Sequence, residues 1–146
     1  MVWSSQNDPD RQKVISASCR EGAKRLGLVL APAGEAAWKL RAQRDDVQLY
    51  RTAKDSHPGY DGGYLVACTL FAAITDTSPV GLPTTLQLPA SYDFPVPVRT
   101  PDRAAKVKAL GPGPTYPLVV GKDKGAALQK VAWECYRAAK ADLVVE

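Results

Sequence analysis

The sequence predicts an α/β layer protein, and three observations point that way: an N-terminal helical pattern, an apolar run at residues 28–31 that follows it directly, and further helical patterns after that run. Asp8-Pro9 opens the first helix, with Asp8 at the N-cap and Pro9 at the first helical position, where its missing N–H costs nothing. Ile15, Cys19, Ala23 and Leu26 then recur at helical spacing among Arg11, Lys13, Arg20, Glu21 and Lys24, and Gly27 closes the element. Leu28, Val29, Leu30 and Ala31, bounded by Gly27 and Pro32, read as a buried strand of a parallel sheet.

Residues 34–44, with Ala36, Ala37, Trp38 and Leu40, read as a second helix leading to a short extended piece at 47–50. A loop carries Lys54, Asp55, Ser56, His57, Pro58 and Gly59. The apolar stretch 64–74 lacks period-two alternation, and its length favours a buried helix over a strand. Residues 84–117 hold Pro89, Pro95, Pro97, Pro101, Pro112 and Pro114. They read as a Pro/Gly-rich surface excursion from a single domain spanning 1–146, with room for one short helix at 102–110. A last helix over 123–140 is expected to pack through Leu128, Val131, Ala132, Cys135 and Ala139, with Gln129, Lys130, Glu134 and Arg137 facing away.

Composition narrows the function classes. The 146 residues are 45% hydrophobic and 23% charged, ordinary for a chain with a real core rather than a disordered tail. The net charge of +4 comes from basic residues dispersed among acidic ones, with no like-charge block and no basic stripe, so no nucleic-acid partner is expected. The longest apolar run is about a dozen residues, short of the ~20 that a membrane-spanning helix needs, and the first residues show no basic-then-apolar leader pattern. Cys19, Cys68 and Cys135 are widely separated, match no metal-ligand spacing, and read as small buried apolar residues. Tyr60, Tyr64, Trp38 and Trp133 read as packing anchors, Gly62 and Gly63 as backbone packing, and Asp45-Asp46 as a solvated turn.

Taken as residues alone, Asp55, Ser56 and His57 form a turn-and-cap loop ahead of a helix. Their wider setting adds something. The run from Asp55-Ser56-His57-Pro58-Gly59 through Gly63-Tyr64-Leu65-Val66-Ala67-Cys68 to Ser78-Pro79-Val80-Gly81-Leu82 resembles the last motif block of bacterial SGNH/GDSL hydrolases, in which an Asp-x-x-His loop precedes a Gly-Tyr-Leu-Ala-Ala-type helix. Residues 23–38 resemble that family's helix, strand and Pro-x-Gly-x-Ala-Trp turn. Val2-Trp3-Ser4 resembles the end of its preceding strand, and residues 127–134 its closing helix.

The resemblance implies the C-terminal portion of a three-layer α/β/α sandwich with a mostly parallel sheet, flavodoxin-like, whose N-terminal strands are missing. It also implies an ester hydrolase that acts on a small-molecule, carbohydrate or lipid ester with no metal or organic cofactor. His57, the single histidine, would be the general base, since a serine hydroxyl is a poor nucleophile until a base accepts its proton, and Asp55 would orient the imidazole. The sequence departs from the family pattern twice. It contains no Gly-Asp-Ser and no Gly-x-Asn-Asp, so the nucleophile and oxyanion donors are expected from an upstream segment or another chain. Lys54 also stands where the family aspartate stands, three residues before the histidine. The other reading is a non-catalytic remnant or partner-binding module that self-associates through the sheet edge left open by the missing strands. Nothing in the sequence points to a compartment.

Overall fold

The computed structural model describes residues 8–52, 56–89 and 115–143. The chain divides into two compact units, one drawn from Met1–Leu82 and Val120–Glu146, the other from Pro83–Val119. The larger unit is helical: α1 (Pro9–Leu26), α2 (Ala33–Arg41), α3 (Tyr60–Thr75) and α4 (Lys122–Leu143).

Local chemistry sets the ends of these helices. The Asp8 carboxylate accepts the Arg11 N–H at 2.9 Å, satisfying one of the donors that a helix start leaves open, and Pro9 follows at the first position. At the other end Gly27 turns left-handed (φ 62°). Asp76 does the same after α3 at φ 53°, a conformation that short polar side chains tolerate better than branched ones.

The core lies where α2, α3 and α4 meet, with α3 and α4 in the most extensive contact. Leu40, Leu65 and Leu128 are sealed there, and Ala36, Ala37, Ala72, Ala132 and Ala139 let the helix backbones approach closely. Thr69, in the same interface, satisfies its hydroxyl by donating to the carbonyls of Leu65 (3.1 Å) and Val66 (2.9 Å) within its own helix. Around the rim, Arg20 joins α1 to α2 and α4 through Glu35 (2.5 Å) and Asp142, and Lys39 reaches Glu134 at 2.8 Å. Such half-exposed pairs fix orientation more than they add stability.

The expected α/β/α sandwich with a mostly parallel sheet is overturned. Residues 28–31 form no strand among the described residues, and Leu28 and Val29 are exposed rather than buried. The ladder that is present is antiparallel and lies in the smaller unit, where β1 (Thr85–Pro89) pairs with β2 (Thr115–Val119), Thr85 opposite Val119 and Pro89 opposite Thr115. Sequence reasoning passed over this hairpin because Pro89 and Pro117 argue against central strands. A two-stranded ribbon has only edges, where a missing N–H can face water. The short helix expected at 102–110 lies outside the described residues.

Candidate functional site

His57 sits on the loop that connects the extended piece at 47–50 to α3. That loop is tied down at several points. Tyr50 and Pro58 form an isolated antiparallel bridge, the Arg51 N–H donates to the His57 carbonyl at 3.1 Å, and the Gly59 N–H donates to the Leu49 carbonyl at 2.9 Å. Leu49 and Tyr50 are buried beneath it. Gly59 is required by space: a Cβ there would fall 2.5 Å from the Gln48 carbonyl oxygen and 2.8 Å from that of Tyr50. The His57 backbone is therefore fixed two residues before a helix-capping glycine, and the residue is exposed.

A buried carboxylate underlies this arrangement, and the sequence reading did not single it out. Asp61, in the first turn of α3 and 4% exposed, accepts the Gln48 N–H at 2.8 Å and the Lys124 ammonium at 3.2 Å. It thus clamps the 47–50 piece and the start of α4 to the base of the histidine loop. The available signal was an acidic residue in a helix first turn, where the peptide dipoles favour negative charge; nothing local revealed its distant partner Lys124. Asp55, the residue expected to orient His57, lies outside the described residues. The bonds of Asp61 go to Gln48 and Lys124, so it positions the loop rather than the imidazole.

The aromatic residues divide. Tyr64 is buried and its hydroxyl accepts from Gln129, and burial raises its pKa above that of a free phenol. Tyr60, expected in the core with it, is instead 62% exposed at the start of α3, three residues from His57. Trp38 is half-buried, with the Arg41 guanidinium 5.3 Å from its ring centre, and Trp133 packs on Tyr136 at 5.7 Å. Gln129, expected to face away, is buried. It donates to the Tyr64 hydroxyl (2.7 Å) and the Leu82 carbonyl (2.8 Å) and accepts the Gly81 N–H (3.0 Å), tying the Ser-Pro-Val-Gly-Leu exit of α3 to α4.

Burial pushes the Cys68 and Cys135 thiols up to about 11, the opposite of an activated nucleophile. Among the described residues no cluster of three His, Cys, Asp or Glu side chains is placed to hold a metal ion. No helix of the described residues is long and apolar enough to cross a membrane.

Compared with protein-family models, curated proteins and solved structures, the chain matches none.

Proposed function

We propose that this chain is the histidine-bearing portion of a serine ester hydrolase, in which His57 is the general base and polypeptide outside this sequence supplies the serine and the oxyanion donors. The observation that carries the reading is the histidine loop itself. The only imidazole in the chain is exposed on a loop held by two backbone hydrogen bonds, a sterically obligatory glycine and a buried carboxylate beneath, within the sequence block that resembles the SGNH/GDSL histidine motif. A general base must meet its substrate proton within about 3 Å, and a backbone tethered on both sides gives a side chain that limited range.

In this chemistry the His57 imidazole accepts the proton of the serine hydroxyl as its oxygen attacks the ester carbonyl. The imidazolium then returns that proton to the leaving alcohol oxygen as the ester C–O bond breaks. Asp55, two residues upstream, is proposed to accept the Nδ1–H of His57. The substrate class is an acyl ester of a carbohydrate or lipid, and the steps call for no metal or organic cofactor.

Fluorophosphonate labelling followed by intact-mass measurement tests the proposal. The chain alone is expected to take up no probe. An adduct that disappears in His57→Ala would show that the chain carries its own nucleophile and would overturn the division of labour. Joined to a polypeptide that supplies a Gly-Asp-Ser serine and the oxyanion donors, the chain is expected to label stoichiometrically, and labelling that survives His57→Ala would remove His57 as the base.

A further inference from the structure

The short pairing that holds the histidine loop also fixes what stands beside the histidine. In the antiparallel bridge between Tyr50 and Pro58, Arg51 and His57 are the next residues directly opposite each other, joined by the Arg51 N–H donating to the His57 carbonyl at 3.1 Å. Residues so placed raise their side chains on one face of the pair, with Cβ atoms about 5 Å apart. Arg51 and His57 are both exposed, whereas Tyr50, on the alternate face, is buried. The two lie on either side of the loop, and nothing local in the sequence joins them.

The Arg51 guanidinium is left without a counter-charge. Other cations of the larger unit are neutralised: Arg44 by Asp46 and Asp123, Lys124 by Asp61. Among the described residues Arg51 forms no ion pair and no side-chain hydrogen bond. Asp61, beneath the loop, is 4% exposed and already accepts from Gln48 and Lys124. Asp55, on the hydrolase reading, serves the imidazole. A cation tethered by its backbone beside the base, with no carboxylate of its own, is placed to receive an anion that arrives with a ligand. The planar guanidinium fork matches the oxygens of a carboxylate or a phosphate.

We propose that Arg51 is a specificity-determining residue that binds an oxyanion, a carboxylate or a phosphate, carried by the ester substrate a few bonds from the carbonyl under attack. The inference rests on the reading of His57 as the base of an ester hydrolase, and it narrows the substrate class to acidic esters. An ester with such a group is held by Arg51 at one end while its carbonyl lies beside His57. A neutral ester leaves the guanidinium hydrated and gains nothing from it. The charge of the bound anion does not change as the ester reacts, so Arg51 holds substrate and transition state alike and selects among substrates rather than accelerating the chemical step.

The full chain tests this without turnover, because its single histidine gives a single set of imidazole ring resonances in a proton spectrum. At neutral pH and constant ionic strength the chain is titrated separately with monomethyl succinate, an ester that carries a carboxylate, with inorganic phosphate, and with dimethyl succinate as the neutral counterpart. At least one of the two anions is expected to shift the His57 resonances saturably, and dimethyl succinate is expected not to. Tighter binding of phosphate assigns phosphate-bearing esters, and tighter binding of monomethyl succinate assigns carboxylate-bearing ones. Arg51→Gln, at an exposed position whose backbone bond glutamine can still make, is expected to weaken the anion about tenfold or more, the worth of a charge-assisted hydrogen bond. Arg51→Lys should recover part of the loss, and Arg25→Gln, which removes the same charge from an exposed place on α1, should change nothing. No shift with either anion, an equal shift with dimethyl succinate, or an affinity that Arg51→Gln lowers no more than Arg25→Gln overturns the proposal. The fluorophosphonate result is separate: labelling that survives His57→Ala removes the base and leaves the anion titration as it stands, while a failed titration leaves the base in place.

Discussion

Replacing Gln129 by leucine tests how α3, the helix that follows the histidine loop, is anchored. Leucine nearly fills the same volume, so the substitution removes hydrogen bonds without opening a cavity. Gln129 is 3% exposed and makes three bonds, to the Tyr64 hydroxyl, the Leu82 carbonyl and the Gly81 N–H. Each is worth about 1 kcal/mol net, which would sum to about 3 kcal/mol. The Gly81 and Leu82 groups are only partly buried and can regain water, whereas the Tyr64 hydroxyl bond is fully buried. The expected loss is therefore about 2 kcal/mol, most of it left at the Tyr64 hydroxyl. In a urea titration followed by circular dichroism, a slope of about 2 kcal/mol/M converts this to a fall of about 1 M in the midpoint with the slope unchanged. Hydrogen exchange should accelerate at the Gly81 amide, which loses its acceptor. A midpoint within about 0.2 M of wild type, or an unchanged Gly81 amide, would refute the claim that this side chain joins the exit of α3 to α4.

Two further outcomes follow from the site. Gly59→Ala forces a Cβ against the Gln48 and Tyr50 carbonyls and is expected to cost about 2–3 kcal/mol and to release the Arg51 and Gly59 amides to exchange; stability equal to wild type would contradict the required close approach. The Lys140 ammonium, followed by the Tyr136 hydroxyl, holds the Asp76 carboxyl below its usual range, so its stabilisation is present above about pH 4 and is lost as pH falls through the lowered value. Asp76→Asn keeps a residue that tolerates the left-handed turn, and should be less stable than wild type at pH 7 and converge with it in acid; urea titrations at neutral and acidic pH would show parallel curves if the reasoning is wrong.

The elements legible in the sequence are those whose signals are local. Asp8, Pro9 and Gly27 mark both ends of α1 because capping and the left-handed turn involve neighbours within one helical turn. The apolar run at 64–74 and the pattern at 123–140 announce α3 and α4, since a helix satisfies its own backbone and needs only the right period. His57 was also legible, as the only histidine in a loop of turn residues ahead of a helix. What held that loop was not: Asp61 acts through Lys124, 63 residues away, and Gly59 through a carbonyl packed against it.

Tertiary structure decided the rest, and the reason is the same in each case. A strand, unlike a helix, completes its hydrogen bonds only through another segment, so the apolar run 28–31 could suggest a strand but not supply its partner. Its Leu28 and Val29 are exposed, and among the described residues no parallel sheet is built on it. The β1–β2 ladder was hidden for the converse reason, because its pairing spans a long proline-rich interval that reads locally as loop. The burial of Gln129 depended likewise on where the turn at Gly81 and Leu82 came to rest against α4. Sequence alone determined which of the described segments are helical and where the one imidazole lies; packing between distant segments determined which polar groups are buried, how the histidine loop is held, and that the apolar run at Leu28 and Val29 is left exposed.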